Sequence, residues 1–329
     1  MLFWPEYRQY LISGHQSNQR HLCAFQNPTG VLRKMVTPFS PLMLGTVQFG
    51  LPYGVANTHG MPTDDDVATI LKEAFDAGMN SIDTSADYGS SEERLGAAMN
   101  HLGLSGRFEV VTKIPKVPDG LAESEIPTFV AAHLTRSLQR LGLEQLAAAL
   151  FHAESDAVHL PHLETMIDKG YIARSGVSLD SIDHPIEAHK ACCVQIPSNL
   201  LDHRFDNLID SAPTNQQIVF ARSVFLQGFL LMPEESIPLH LAPLVIYRNL
   251  LEKIAREADY SLAQLAVGYL RSQPNVTSLV MGMETVGQLR ENLDLFNMPL
   301  FPPELMNRVK TAVGLLPEQL IRPSLWRKR

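Results

Sequence analysis

From Pro41 onward the chain alternates short runs of β-forming apolar residues with stretches whose apolar side chains recur at helical spacing, and it repeats this about eight times. The apolar runs read as strands over residues 42–46, 80–83, 108–112, 147–151, 172–178, 193–196, 217–221 and 277–281. After the first, Val67, Ile70, Leu71, Ala74 and Phe75 share a helical face behind Thr63, which has capping-box spacing to Asp66. The acidic triplet at 64–66 therefore suits the positive end of a helix dipole better than a metal ion. Residues 91–99 read as a second helix, Val130, Leu134, Leu138 and Leu141 form a further stripe, and Val286, Leu289, Leu293 and Phe296 close the series.

No Pro/Gly/Ser-rich linker divides these units, so they suit one closed barrel rather than two open sheets. The expected fold is α/β, a (β/α)8 TIM barrel. Extra helices near the C-terminus are expected too, because the gap before the last strand holds two helical stretches, 244–257 and 262–271. Residues 1–38 carry no period and read as a disordered extension, with Met35 a sensible start for the folded part; residues 39–329 form the single barrel domain.

Thirty-five acidic against 27 basic side chains give a net charge of −8, a field that repels phosphate backbones and anionic lipid. Neither nucleic acid nor a membrane is an expected partner. The longest apolar run, residues 146–151, is far below spanning length, and no secretory signal is visible. Cys23 stands alone and Cys192 adjoins Cys193, a pattern without a disulfide framework that fits a cytoplasmic setting.

The usual motifs are missing. Gly45, Gly50 and Gly54 have the wrong spacing for a dinucleotide-binding G-x-G-x-x-G, and Leu51 stands where a phosphate-binding loop needs lysine. The twelve histidines include no H-E-x-x-H; His159 and His162, near an acid, read as solvated side chains, so no metal is expected. Gly176-Val177-Ser178 runs into Leu179-Asp180 and makes no serine nucleophile elbow.

In a β/α barrel the chemistry sits where strands end, which singles out Asp83, Tyr88, Lys113 and His152. A phenol with a free pKa of about 10 is a poor acid at neutral pH. A neighbouring ammonium should lower that value, a carboxylate should hold the ammonium in place, and a neutral imidazole can orient a carbonyl oxygen. Together they are equipped to protonate an alkoxide as hydride arrives at carbon.

The block Asp83-Thr84-Ser85-Ala86-Asp87-Tyr88-Gly89, followed by Ser91-Glu92 and Leu95-Gly96, resembles the "DTA..YG.SE..LG" stretch of the aldo-keto reductases, (β/α)8 barrels that use NAD(P)H without a Rossmann domain. The similarity runs over about residues 43–295. It implies that Tyr88 is the general acid, that Lys113 and Asp83 tune it, and that His152 places the carbonyl. By the same resemblance Thr46, Ser178 and Gln195 bind cofactor, the latter two at the nicotinamide carboxamide, with Asn199 in the same motif. Arg222 takes a position where many members stack an aromatic on the nicotinamide, and its plane could stack there, anchor the structure or reach substrate. Ser223, Phe225, Gln227 and Gly228 would line the pyrophosphate, Gly282, Gln288, Glu291 and Asn292 the adenosine end, and Tyr53 the substrate pocket.

The family's habit favours NADP(H) over NAD(H), whereas Glu284 near the expected ribose phosphate would repel a dianion and suit the 2′-hydroxyl of NADH. The implied activity is reduction of a small-molecule aldehyde or ketone, sugars among them. Two other readings stand beside it: a cofactor-binding regulatory or interaction subunit with little turnover, and a metal-dependent barrel enzyme.

Overall fold

The computed structural model describes residues 39–183 and 186–326. The expected extension at 1–38, with Met35 and Cys23, lies outside the described residues. Eight parallel strands close into a barrel in sequence order: β1 (Leu42–Gly45), β2 (Ser81–Asp83), β3 (Glu109–Ile114), β4 (Ala148–Phe151), β5 (Ser175–Ser178), β6 (Cys193–Pro197), β7 (Ile218–Arg222) and β8 (Ser278–Gly282). Closure is made by β1 on β8, with Leu42 opposite Leu279 and Gly45 opposite Gly282. Each expected strand is present. The main shifts are at β3, which continues through Lys113 to Ile114, and at β5, which starts at Ser175 because Ile172 makes only an isolated bridge to Leu146.

The helices are α1 (Asp64–Asp76), α2 (Ser91–His101), α3 (Ile126–Leu141), α4 (Leu160–Asp168), α5 (Asp206–Ser211), α6 (Val245–Glu257), α7 (Leu262–Arg271), α8 (Val286–Phe296), α9 (Pro303–Val313) and α10 (Glu318–Ile321), with a one-turn helix at Val47–Gly50. Thr63 closes the expected capping box on α1: its hydroxyl accepts from the Asp66 amide and the Asp66 carboxylate accepts from the Thr63 amide. The predicted stripe Val67, Ile70, Leu71 and Ala74 is buried against the sheet. Helices α6 and α7 are the two expected between β7 and β8. The connection from β5 to β6 departs from the pattern. Its described part holds only a 3-10 turn, Ile186–Lys190, and Ile182 and Ile186 face solvent instead of supplying a helical apolar stripe.

Two apolar layers hold the barrel. The larger lies between the sheet and the surrounding helices; the smaller fills the interior with Met43, Val111, Ala148, Leu150, Cys193 and Phe220. Phe39 joins this inner layer, packing edge-on against Phe220 at 5.0 Å between centroids. Cys193 is thus buried filler. The filled interior leaves polar side chains at the C-terminal ends of the strands as the place for chemistry.

Candidate active site

Lys113 lies one residue inside the end of β3 and has no exposed surface. Its ammonium donates to both oxygens of Asp83, at 2.7 and 2.8 Å, to the Thr84 carbonyl at 3.0 Å and to the Tyr88 hydroxyl at 3.2 Å. Asp83, at the end of β2, also accepts from Gln195 Nε2 of β6 at 2.7 Å. His152, directly after β4, meets Tyr88 edge-on at 5.8 Å between ring centroids. Three adjacent strand ends, those of β2, β3 and β4, therefore deliver the four residues singled out from the sequence to one place.

The loop that carries Tyr88 is fixed by close approach. A Cβ on Gly50 would lie 1.8 Å from the Tyr88 carbonyl oxygen, so only glycine lets the one-turn helix after β1 pack against this loop. Beneath it Thr46 is fully buried and donates to the Asp83 carbonyl at 2.9 Å, while Ser91 donates to the Thr46 carbonyl at 2.9 Å. The Thr46 and Ser91 hydroxyls thus brace the β2 loop from below. Glu92 is equally buried and accepts from Thr112 at 2.7 Å, tying α2 to β3.

The electrostatics depart from the expectation in one respect. Burial raises the Tyr88 hydroxyl above its ordinary value and outweighs the opposing pull of Lys113, so the phenol holds its proton more tightly than a free tyrosine. Burial also works against the Lys113 ammonium, yet Asp83 and Tyr88 overcome it and hold Lys113 above the usual lysine value. At neutral pH Lys113 is an ammonium and Tyr88 a protonated phenol.

Two residues the sequence reading passed over enter here. Asp87 lies 3.0 Å from His152 Nδ1, and this hydrogen bond, followed by the charge of the ring, holds the Asp87 carboxyl below the usual range in spite of partial burial. Its place one residue before Tyr88 was the available signal. Asp180, two residues beyond β5, bonds Arg222 of β7 at 3.0 Å, a pairing across 42 residues of chain that no local spacing announces.

Of the residues implied for a dinucleotide, Ser178 and Gln195 are register partners at the ends of β5 and β6. Gln195 Oε1 is buried without a hydrogen-bond partner, an acceptor aimed at a group the protein does not supply and suited to the N–H of a carboxamide. Beyond β7, Ser223, Leu226 and Gln227 all have positive φ, at 63°, 47° and 55°, and Gly228 follows at 91°. Three non-glycine residues in this region within one loop are local backbone strain that the surrounding structure holds in place. Asn199 donates to the Ser223 carbonyl at 3.1 Å, and Gln227 donates to the Tyr53 hydroxyl at 2.9 Å, joining the β7 loop to the β1 loop. Phe225 is half-buried in the same loop. Gly282 ends β8 against the Gln48 side chain; Gln288 bonds Glu284 at the start of α8, where Asn292 is buried and Glu291 exposed. These residues stand at the C-terminal ends of strands and in the loops that follow them.

His159, directly before α4, and His162, in its first turn, turn out to share a location with Glu123 beyond β3, their ligand atoms within 4.8 Å of one another. Among the described residues no helix is long and apolar enough to cross a membrane.

Tyr88, Asp83, Lys113 and His152 thus meet at one mouth of a closed parallel barrel. The chain belongs to the aldo/keto reductase family, whose model matches residues 41–313. It is 25% identical over 317 residues to the L-glyceraldehyde 3-phosphate reductase of Escherichia coli O157:H7, covering 84% of this chain and 90% of that protein. It is 24% identical over 309 residues to a probable voltage-gated potassium channel subunit beta of Oryza sativa subsp. japonica, covering 82% and 94%. In fold it matches the holo form of an aldo-keto reductase from Bacillus halodurans with a TM-score of 0.70 at 17% identity, over 88% of this chain and 98% of that one. The protein is thus an oxidoreductase of this family, NAD(P)-dependent and directed at small carbonyl substrates.

Proposed function

We propose that the protein reduces an aldehyde or ketone to the alcohol with Tyr88 as proton donor, and that polyhydroxylated aldehydes of the sugar type are the first substrates to test. The observation that carries this is the Lys113 ammonium, saturated by Asp83 on one side and 3.2 Å from the Tyr88 hydroxyl on the other. A reduced nicotinamide held by Ser178 and Gln195 would supply the hydride that adds to the carbonyl carbon. The Tyr88 O–H bond breaks as its proton passes to the carbonyl oxygen, and the phenolate left behind is stabilised by Lys113. Because burial raises the Tyr88 pKa, the transfer depends on Lys113 to stabilise the phenolate as the proton leaves. In this reading His152, bonded through Nδ1 to Asp87, orients the carbonyl oxygen.

In this reading Ser178 and Gln195 would hold the carboxamide, Gln195 Oε1 as acceptor, Arg222 would stack on the nicotinamide, and the loop 223–228 and residues 282–292 would hold the pyrophosphate and the adenosine end. Tyr53 forms a wall of the substrate pocket. NADP(H) is the preferred cofactor by family habit, with Glu284 the residue that would favour NADH.

The test is Tyr88→Phe. Titration of wild type and variant with NADPH and NADH should give affinities within about twofold of each other, while turnover of an aldehyde panel falls by 100-fold or more. Unchanged turnover rejects Tyr88 as the acid. Tight cofactor binding without hydride exchange in the wild type would favour the regulatory reading, a role suggested by the channel subunit relative.

A further inference from the structure

Asp180 uses every polar atom it offers. Its amide donates to Glu154 Oε2 at 2.6 Å, joined by the Ser181 amide at 2.7 Å, and its carbonyl accepts from Arg204 at 2.9 Å. Of its carboxylate, Oδ1 accepts from Arg222 at 3.0 Å, and Oδ2 accepts from Arg322 Nε at 2.7 Å and from the Ser324 hydroxyl at 2.6 Å. Burial alone would raise this carboxyl, but Arg222, Ser324 and Arg322 together hold it far below the usual carboxylate range.

Two of these contacts come from the last described stretch of chain, α10 and the turn Pro323–Leu325, which lies on the mouth of the barrel. Arg322 also reaches Glu318 at 3.3 Å and Glu154 at 3.4 Å. On the other side of Asp180, Arg222 extends from the end of β7 past β6 to the β5 loop, where the Leu179 carbonyl accepts from it at 3.1 Å. It crosses the rim that holds Ser178 and Gln195. Acceptors hold the edge of the guanidinium and about a quarter of the side chain stays exposed (24%), an arrangement that leaves a planar cation a face for stacking.

We infer that the C-terminal stretch is a strap that sets the cofactor end of the site: Arg322 and Ser324 hold Asp180, and Asp180 holds Arg222 against the nicotinamide. Asp180 and Arg322 are positioning residues. This rests on the assignment of Arg222 to the nicotinamide made above. A loosened strap lets the guanidinium swing away from the ring while the adenosine end, on the β8 side, is untouched. Its effect is therefore confined to one half of the dinucleotide.

The experiment compares wild type, Arg322→Ala and Asp180→Asn for binding of two probes: the intact cofactor, NADPH or NADH according to which the wild type binds more tightly, and the matching ADP-ribose fragment that lacks nicotinamide. Both variants should weaken the intact cofactor by roughly tenfold, the loss of one hydrogen bond to a charged group, and leave the fragment within about twofold. KM for cofactor should rise by the same factor with kcat changed less than about threefold. Arg322→Ala alters a partly exposed side chain and keeps the test valid if Asp180→Asn fails to fold. Equal weakening of both probes, or no weakening of either, overturns the strap while leaving the assigned chemistry intact. Wild-type protein that binds neither probe overturns both.

Discussion

Replacing Asp83 by Asn removes one charge at nearly constant volume and leaves the Lys113 ammonium, wholly buried, with only the Thr84 carbonyl, the Tyr88 hydroxyl and an amide oxygen around it. Two hydrogen bonds to a carboxylate are lost, and breaking a buried ion pair from one side costs about 3–5 kcal/mol. The loss has a ceiling, because Lys113 can release its proton instead. For an amine with a free pKa of about 10.4, neutralisation at pH 7 costs about 4.6 kcal/mol. The expected destabilisation at pH 7 is therefore about 3–4.5 kcal/mol by urea unfolding followed by far-UV circular dichroism.

The pH dependence identifies its origin. In the variant, burial without the carboxylate leaves a lysine that is neutral when folded and charged when unfolded, so the unfolded chain binds more protons and stability rises with pH. The deficit should narrow by up to about 1.4 kcal/mol per pH unit between pH 7 and pH 9. Adding Lys113→Met should bring stability back to within about 2 kcal/mol of wild type, since the unpaired charge is gone. A deficit under about 1 kcal/mol at pH 7, or one that grows with pH, would refute the reasoning.

Further expectations are accessible by the same methods. Thr63→Ala removes the hydroxyl that accepts from the Asp66 amide and should cost about 1 kcal/mol, with no change in cofactor affinity. Gly50→Ala drives a methyl into the Tyr88 carbonyl; it should destabilise by about 1–3 kcal/mol and lower turnover more than cofactor binding, because the displaced loop carries the acid. At alkaline pH, Lys113, Tyr88 and Tyr269 hold their protons more tightly in the folded chain than in the unfolded one. The folded state then binds the extra protons, so urea midpoints should stay level to about pH 10 and fall beyond it; a midpoint that climbs there would contradict the assignment.

The sequence reading placed Tyr88 beside a cation and drew from that a lowered pKa; the structure reverses the direction. Spacing along the chain names the neighbours of a group, but the balance between an ammonium at 3.2 Å and loss of solvent depends on how deeply the group sits. Asp87 and Asp180 escaped for different reasons. Asp87 adjoins Tyr88 in a block read for its better-known positions. Asp180 becomes meaningful only through partners at 154, 204, 222, 322 and 324, which lie on separate elements.

The elements and their number were legible because each is shaped by its own burial: a strand inside a barrel is apolar throughout, and a helix lying on it is apolar on one stripe. That pattern is written within a dozen residues. The block from Asp83 to Gly96 was legible because its residues are contiguous, although it packs on Thr46 and Gly50 from the end of β1. Closing the barrel is what brings residues 83, 113, 152 and 195 to one mouth, and it alone decides which charges are paired, which are desolvated, and which acceptor, as at Gln195, is left open. Those outcomes depend on distances between strands that share no local sequence, and Coulomb and solvation energies respond to such distances rather than to position along the chain.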